Sequence, residues 1–331
     1  MRNKYIDESA GTFTYGILSM PFSDRDYKGY IVKSFKFLKM SIIKINVFVL
    51  FAFLSGMFTV VASCNGLTAN EASSSAAYPE TKLGWKLGAQ AYTFNLFTFF
   101  EAIDKIDSCG LKYVEAYPEQ VIGGGIEGKM DYHMDAFTRS KILQKLKDKG
   151  IKLIAYGVVN VGTDEEWRRI FEFGKAMNIE TITSEPLEKD IPLLSKLCDE
   201  YQINVAMHNH PQPRSYWNPD RLLAAIKGQS SRIGACADIG HWVRSGLDPV
   251  ECLKKLEGHV LQLHMKDLND KNGEEDRDVH WGTGVANTDG VIKELKRQHF
   301  KGMISAEYER NWENNVPDVT ASVAYFRNAL K

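Results

Sequence analysis

The sequence predicts an α/β protein built as a single (β/α)8 barrel, the TIM-barrel architecture, and two observations carry this prediction. The segment from Lys82 to Lys331 has about 250 residues, the typical size of one such barrel. Along it, eight short apolar or β-branched runs recur, mostly separated by amphipathic helical patterns. Alternating strands and helices favour a parallel sheet, and eight repeats favour closure into a barrel over an open doubly wound sheet.

The predicted strands are runs rich in apolar and β-branched side chains, as is typical of strands buried in a parallel sheet. A dinucleotide-binding version of the fold has no support, because no G-x-G-x-x-G segment directly follows any of these runs. In chain order, the predicted strands cover Leu87–Thr93, Tyr113–Tyr117, Ile151–Val159, Glu180–Ser184, Ile203–His208, Arg232–Asp238, Val260–Lys266 and Gly302–Tyr308.

Helical patterns with start and stop signals lie between these runs. The segment AFTRSKILQKLKDKG ends at Gly150, and the segment DEEWRRIFEFGKAMN follows Thr163. Thr163 and Glu166 have the spacing of a capping box, in which side chains satisfy backbone N–H groups at a helix start. Gly110 and Gly150 each precede a predicted strand, at the position where a left-handed glycine ends a helix.

The composition is that of an ordinary globular protein, with 44% hydrophobic and 25% charged residues. The formal net charge is −1, and the part of the chain after residue 63 is mildly acidic. Nucleic-acid binders usually carry a clustered basic surface, so we expect no nucleic-acid partner. The mean hydropathy of −0.29 excludes a polytopic membrane protein.

An apolar segment near the N-terminus has the pattern of a bacterial lipoprotein signal peptide. The run from Val47 to Ala62 carries no charge, follows two lysines and is short for a membrane span, which needs about 20 residues. It leads into Val-Ala-Ser-Cys, which resembles a lipobox, where the cysteine becomes the lipidated first residue. We therefore predict a signal peptide over residues 40–63 and lipidation at Cys64; the alternative is a buried strand that ends in an inert cysteine.

The remaining divisions of the chain follow from this segment. Residues 1–39 precede the expected start of the signal peptide, so we predict an upstream extension and hypothesise that Met40 is the true start. Residues 64–81 are small and polar and predict a tether, and residues 82–331 are the barrel. A lipid anchor attaches a protein to a membrane without spanning it, so we expect an anchored lipoprotein of the bacterial cell envelope or periplasm.

Ionisable side chains cluster where the fourth to eighth predicted strands end. The chemistry of a (β/α)8 barrel lies at the C-terminal ends of its strands. Strand alternation puts the paired ionisable residues of the fifth, seventh and eighth strands on one face. So many ionisable groups would repel or desolvate one another unless a cation held them. We predict a metal or catalytic site among Glu185, His208, His210, Asp238, His241, His264, Lys266, Glu307 and Glu309.

Five motifs at these positions resemble the xylose isomerase-like TIM-barrel superfamily of sugar isomerases, epimerases, inosose dehydratases and the endonuclease IV group. The resemblance covers nearly all of 85–331 and implies one divalent metal, held by Glu, Asp, His and Glu from the last four strands. The donor set suits Mn, Co, Zn, Fe or Mg without choosing among them. The motifs are MHNHP at 207–211, ADIGHW at 237–242, LHMKD at 263–267, WGTGVAN at 281–287 and SAEYE at 305–309.

Three of the four family ligands carry over directly, as Asp238, His264 and Glu307. The first departs, because this chain has His208 where many members have Glu. Either His208 is itself a ligand, or Glu185 on the fourth strand supplies the missing carboxylate. We favour Glu185, because it restores the anionic charge that a divalent ion prefers.

The resemblance implies a metal-dependent sugar isomerase or epimerase that acts through a metal-stabilised enediolate. Returning the abstracted proton to another carbon isomerises the sugar, returning it to the other face epimerises it, and expelling a β-substituent makes a lyase. Imidazole suits proton transfer near neutral pH. The acid–base candidates are His208, His210, Lys266 and Glu309; the substrate-binding candidates are Gln90, Glu115 and Tyr156 for hydroxyls, His241 near the metal, and Trp242 and Trp281 for stacking.

We expect the substrate to be an unphosphorylated sugar or glycoside, because an envelope enzyme meets glycans and no Arg/Lys phosphate clamp lies near the motifs. A lyase or hydratase acting on a 3-keto-glycoside is a second interpretation, and a non-catalytic sugar-binding lipoprotein is a third. An endonuclease IV-like phosphodiesterase is disfavoured by the scarcity of histidine before residue 207. A homo-oligomer is compatible with the sequence, which does not fix the oligomeric state.

Overall fold

The computed structural model describes residues 78–270 and 277–331, and a closed barrel lies within these ranges. The upstream extension predicted over 1–39, the signal peptide predicted over 40–63 and the lipidation site Cys64 lie outside the described residues. No helix of the described ranges is both long and apolar enough to cross a membrane.

Eight parallel strands close the barrel in chain order, and the first strand pairs with both the second and the eighth. The predicted (β/α)8 TIM barrel is confirmed, and every observed strand overlaps its predicted run. The strands are β1 Lys86–Gln90, β2 Tyr113–Ala116, β3 Lys152–Tyr156, β4 Thr181–Ser184, β5 Asn204–His208, β6 Ile233–Asp238, β7 Val260–Met265 and β8 Met303–Ala306.

Helices cover the outside of the barrel. The Thr163 hydroxyl accepts the backbone N–H of Glu166 at 3.2 Å, but the Glu166 carboxylate accepts the Tyr132 hydroxyl instead of completing the predicted capping box. Gly150 has a left-handed φ of 62°, as predicted for a glycine that ends a helix. The helices are α1 Phe99–Ser108, α2 Ala136–Lys149, α3 Asp164–Met177, α4 Ile191–Tyr201, α5 Pro219–Ile226, α6 Ile239–Arg244, α7 Pro249–Lys255, α8 Thr288–Arg297 and α9 Val316–Asn328.

The folded body includes residues before 82, so the last residues of the segment predicted as a tether over 64–81 are part of it, and 64–77 lie outside the described residues. Residues Pro79–Leu83 form a 3-10 helix that packs on the barrel. Glu80 is buried, and its carboxylate accepts hydrogen bonds from the guanidinium of Arg327 in α9, the shortest at 2.8 Å. This pair ties the start of the folded body to the last helix.

Strand register brings the polar strand ends side by side. Asp238 at the end of β6 is level with His264 in β7, and His264 is level with Ser305 in β8. Because side chains alternate along a strand, Glu307 follows Ser305 onto the same face. Pairing in register therefore sets three of the predicted ligands next to one another.

We expect Gly88→Ala to destabilise the protein. Gly88 lies in β1, where an added Cβ would come within 2.4 Å of the Tyr113 carbonyl oxygen in β2. Backbone cannot move aside cheaply, so the free energy of unfolding should fall by about 1–3 kcal/mol in a urea titration.

Gly162→Ala is the matched control, because a Cβ at Gly162 meets nothing within 4 Å. Its unfolding midpoint should stay close to that of the parent protein. Equal stability of the two variants would contradict the close approach of β1 and β2.

Candidate metal and catalytic site

Four side chains from four consecutive strands converge at the C-terminal end of the barrel. They are His208, Asp238, His264 and Glu307, and we call them the metal group. One nitrogen or carboxylate oxygen from each lies within 4.8 Å of all the others. Ligand atoms on opposite sides of an ion with bonds of about 2.1 Å are about 4.2 Å apart, so the spacing suits a divalent cation.

Two atoms of the metal group are buried without a hydrogen-bond partner among the described residues. They are Nε2 of His208 and Oδ2 of Asp238, which face each other at 3.8 Å. A buried polar atom without a partner costs free energy, and a cation between these atoms would remove that cost. The donors present therefore fit a metal.

Glu115 holds the outer nitrogen of His264. Its Oε2 lies 2.8 Å from His264 Nε2 and also accepts hydrogen bonds from Gln262 and Ser305. A ring hydrogen on Nε2 would be shared with Glu115, and Nδ1, which lies 3.0 Å from Glu307, would then be the nitrogen available to a cation. Such carboxylate–histidine pairs orient metal ligands.

Glu185 holds His208 in the same way, at the outer nitrogen. Its Oε1 lies 3.4 Å from His208 Nδ1 and accepts hydrogen bonds from the backbone and the ring of His210. Burial alone would raise the pKa of Glu185, but the hydrogen bonds from both imidazoles outweigh it and hold the pKa well below its usual range.

The two alternatives for the first ligand, His208 and Glu185, lie in different groups that share His208. His208 converges with Asp238, His264 and Glu307, whereas Glu185 lies with His208 and His210, so the geometry favours His208 as the fourth ligand. Asn160 contributes to this difference, because its side-chain oxygen accepts the backbone N–H of Glu185 at 2.9 Å and anchors the turn after β4.

Lys266 is fully buried behind the metal group. Its ammonium contacts Glu309, and lies 3.3 Å from Glu307 and 3.6 Å from Asp238. Burial alone would lower the pKa of Lys266, but these carboxylates outweigh it and raise the pKa well above its usual value. Lys266, one of the predicted acid–base candidates, is therefore placed as a buried positive charge that pairs with the carboxylates.

The other imidazoles differ in access. The His210 side chain is 42% exposed and hydrogen bonds to Glu185 through Nδ1. His241 is buried, with Nε2 3.6 Å from Asp238 Oδ2 and Nδ1 3.2 Å from an Arg244 nitrogen. Burial lowers the pKa of His241 well below its usual value, which favours the neutral ring. His210 is the imidazole of this cluster best placed to meet a substrate.

The predicted hydroxyl-binding residues on the first three strands are buried instead. Gln90 donates to the Gly157 carbonyl and accepts the Tyr92 N–H, and Glu115 is the acceptor described above. Tyr156 packs against Phe173, and its hydroxyl has no partner among the described residues. Gln90 and Glu115 are level in β1 and β2 and point into the barrel below its mouth, whereas Tyr156 points outward against Phe173 of α3.

The two tryptophans predicted to stack on a sugar are also buried. Trp242 packs in the core on α6, and Trp281 donates its indole N–H to the Met265 carbonyl at 3.1 Å. The WGTGVAN loop is instead organised by Asp267, whose carboxylate accepts the backbone N–H groups of Gly282, Gly284 and Ala286. Sequence reasoning missed this role, although an Asp directly after β7 and the two glycines were visible signals.

Known proteins share this architecture. A family model described as xylose isomerase-like TIM barrel matches residues 187–329. An uncharacterized protein of Methanocaldococcus jannaschii is 28% identical over 154 residues, which are 45% of this chain and 50% of that protein. The chain thus matches about half the length of this curated relative.

Solved structures match over the whole barrel. An uncharacterized protein from Parabacteroides distasonis is 34% identical, with a TM-score of 0.62, over 74% of this chain and 99% of its own. A D-tagatose 3-epimerase-like protein is 18% identical, with a TM-score of 0.58, over 74% of this chain and 97% of its own. The IolI protein with a bound zinc atom is 16% identical, with a TM-score of 0.59, over 74% of this chain and 98% of its own. The last two show the shared fold.

We expect Glu115→Gln to weaken metal binding. The variant keeps the size of the side chain but loses the carboxylate that orients His264. Removing such a partner typically costs 10–100-fold in affinity, so the Kd for Zn²⁺ or Mn²⁺ should rise by about that factor in calorimetric titrations.

Glu119→Gln is the matched control, because Glu119 is exposed and pairs with Lys129 on the surface. Its Kd should equal that of the parent. An unchanged Kd in Glu115→Gln would show that His264 does not depend on Glu115 for its orientation.

Proposed function

The chain belongs to the xylose isomerase-like TIM-barrel family, and on that premise we propose that it is a divalent-metal-dependent isomerase or epimerase of an unphosphorylated sugar or glycoside. The observation that carries the proposal is the convergence of the metal group, in which two buried atoms have no hydrogen-bond partner among the described residues. The D-tagatose 3-epimerase-like and IolI structures with the same fold support this reaction class and a metal site.

His208, Asp238, His264 and Glu307 would hold the cation. A divalent cation bound there would draw electron density from a substrate carbonyl and acidify the neighbouring C–H bond. Glu115 and Glu185 keep the two histidines in the orientation that this binding requires. The set has two carboxylates and two imidazoles, a mixed oxygen and nitrogen set that several divalent metals accept.

His210 is our candidate for the base that removes the proton. Glu185 fixes its ring through Nδ1 and leaves Nε2 without a hydrogen bond among the described residues. Imidazole transfers protons effectively near neutral pH. Glu309, which is partly exposed and held by Lys266 on the β8 side of the site, is the candidate for the second acid–base group.

The charges at the barrel mouth favour a substrate without phosphate. Lys266 pairs with three carboxylates, and Arg244 pairs with Asp278 at 3.3 Å. Both cations are thus already matched by acidic groups. The lipobox-like segment supports the same substrate class, and we propose that the protein is anchored in the cell envelope, where it meets glycans.

We expect the Mn²⁺-loaded protein to exchange a sugar C–H with solvent in D2O. A panel of free sugars and 3-keto-glycosides, followed by NMR, should show deuterium beside the carbonyl of at least one substrate. Treatment with a chelator should stop the exchange, and restored Mn²⁺ should recover it. His210→Asn should slow the exchange by about 10²–10⁴-fold, the usual contribution of a general base.

His299→Asn is the matched control, because His299 is exposed and precedes β8, at the opposite end of the barrel. Its exchange rate should match the parent rate. Exchange accompanied by loss of the aglycone would assign the same site to a lyase. Saccharide binding without exchange would contradict the enzyme and support a sugar-binding lipoprotein.

A further inference from the structure

Three aromatic side chains form a cluster at the barrel mouth beside the metal group. Tyr92 follows β1, Tyr117 follows β2 and Trp312 follows β8, and these three strands are neighbours in the barrel. The Tyr92 ring lies 5.3 Å from the Tyr117 ring and 5.8 Å from the Trp312 ring, with interplanar angles of 79° and 85°. We call these residues the aromatic trio.

The aromatic trio is open to solvent and its polar tips are uncommitted. Tyr92 is 41% exposed, and Tyr117 and Trp312 are half-buried. Within the described ranges, neither the two hydroxyls nor the indole N–H makes a hydrogen bond. Aromatic rings of this kind combine a flat apolar face with a polar edge, which matches the apolar faces and hydroxyl rim of a sugar.

Hydrogen bonds hold the trio in place. The Gln90 side chain accepts the backbone N–H of Tyr92 at 3.2 Å. The hydroxyl of Thr93 donates to the Ala306 carbonyl and accepts the Tyr308 N–H, and the Thr93 carbonyl accepts the Asn315 side chain. The turn that carries Tyr92 is therefore joined to the segment that carries Trp312, and the surface is preformed.

The aromatic trio lies on strands that are next to those of the metal group. The metal group comes from β5 to β8, and the trio comes from β8, β1 and β2. Glu307, Glu309 and Trp312 follow one another after the same strand. A single sugar ring bound at the metal group would leave the trio for whatever is attached to that ring.

We propose that the aromatic trio is a subsite for the second ring of a glycoside, whose first ring lies at the metal group. This inference rests on the proposed function and narrows its substrate class from free sugars to glycosides with a ring-shaped aglycone whose first ring carries a carbonyl, as a 3-keto-glycoside does. The second ring is a neighbouring sugar or an aromatic alcohol. Both are six-membered rings with an apolar face, attached through a glycosidic oxygen.

Calorimetric titration of the Mn²⁺-loaded full chain tests the subsite without requiring turnover. The probes are methyl and phenyl pyranosides of glucose and galactose in both anomeric forms, and the corresponding glucose disaccharides. At least one two-ring probe should bind about tenfold more tightly than its methyl counterpart. Preference for the disaccharide identifies a neighbouring sugar, and preference for the phenyl glycoside identifies an aromatic alcohol.

Variants assign the preference to the trio. Trp312→Ala and Tyr92→Ala should remove the preference for two-ring probes. Both variants should leave the Kd for the methyl glycoside and for Mn²⁺ unchanged. Trp312→Phe should keep most of the preference for two-ring probes. Phe137→Ala is the control, because Phe137 is an exposed aromatic residue on α2, and it should keep the full preference. Unchanged Mn²⁺ affinity also shows that each variant is folded.

Equal affinity for one-ring and two-ring probes, or a preference that survives both alanine variants, would overturn the subsite. The proposed reaction fails separately, in the D2O experiment. Deuterium exchange without a two-ring preference would support the proposed reaction and contradict the subsite. A two-ring preference without exchange would support the subsite and contradict the proposed reaction.

Discussion

The burial of four polar side chains at one point of the barrel is the constraint around which the rest of the site is arranged. Histidine and carboxylate donors removed from water are costly unless something satisfies them. Within the part of the chain that the structure describes, Nε2 of His208 and Oδ2 of Asp238 face each other and neither has a hydrogen-bond partner. Two further carboxylates, Glu115 and Glu185, hold the outer nitrogens of the histidines, so the inner nitrogens turn toward the common point.

This arrangement explains how the chain accommodates a histidine where the family resemblance implies a glutamate ligand. His208 takes the carboxylate's place in the metal group, and the Glu185 carboxylate contacts the outer nitrogen of His208. Lys266 balances the negative charge from behind, because its buried ammonium lies close to Glu307 and Asp238. His210 and Glu309, the acid–base groups of our proposal, lie on either side and are partly exposed.

Periodicity and strand-end chemistry predicted much of this molecule. The eight strands and the strand-end positions of Asp238, His264 and Glu307 follow from alternation, which is a local property of the sequence, and the family resemblance implied that these residues are ligands. The choice between His208 and Glu185 depends on how the turn after β4 is held, where the Asn160 side-chain oxygen accepts the Glu185 N–H, and no local pattern encodes this contact. Loop packing over the barrel buries Trp242 and Trp281 and leaves Tyr92 exposed and Trp312 half-buried. The position of an aromatic residue at a strand end does not show whether its ring faces the core or the solvent.

Anomalous diffraction from crystals grown with Zn²⁺ tests directly whether the metal group holds a cation. We expect one zinc peak within about 2.0–2.2 Å of nitrogen atoms from His208 and His264 and of oxygen atoms from Asp238 and Glu307. Glu115 and Glu185 should remain on the outer nitrogens of the histidines. A peak bonded to Glu185 in place of His208, or no peak among these four side chains, would contradict it.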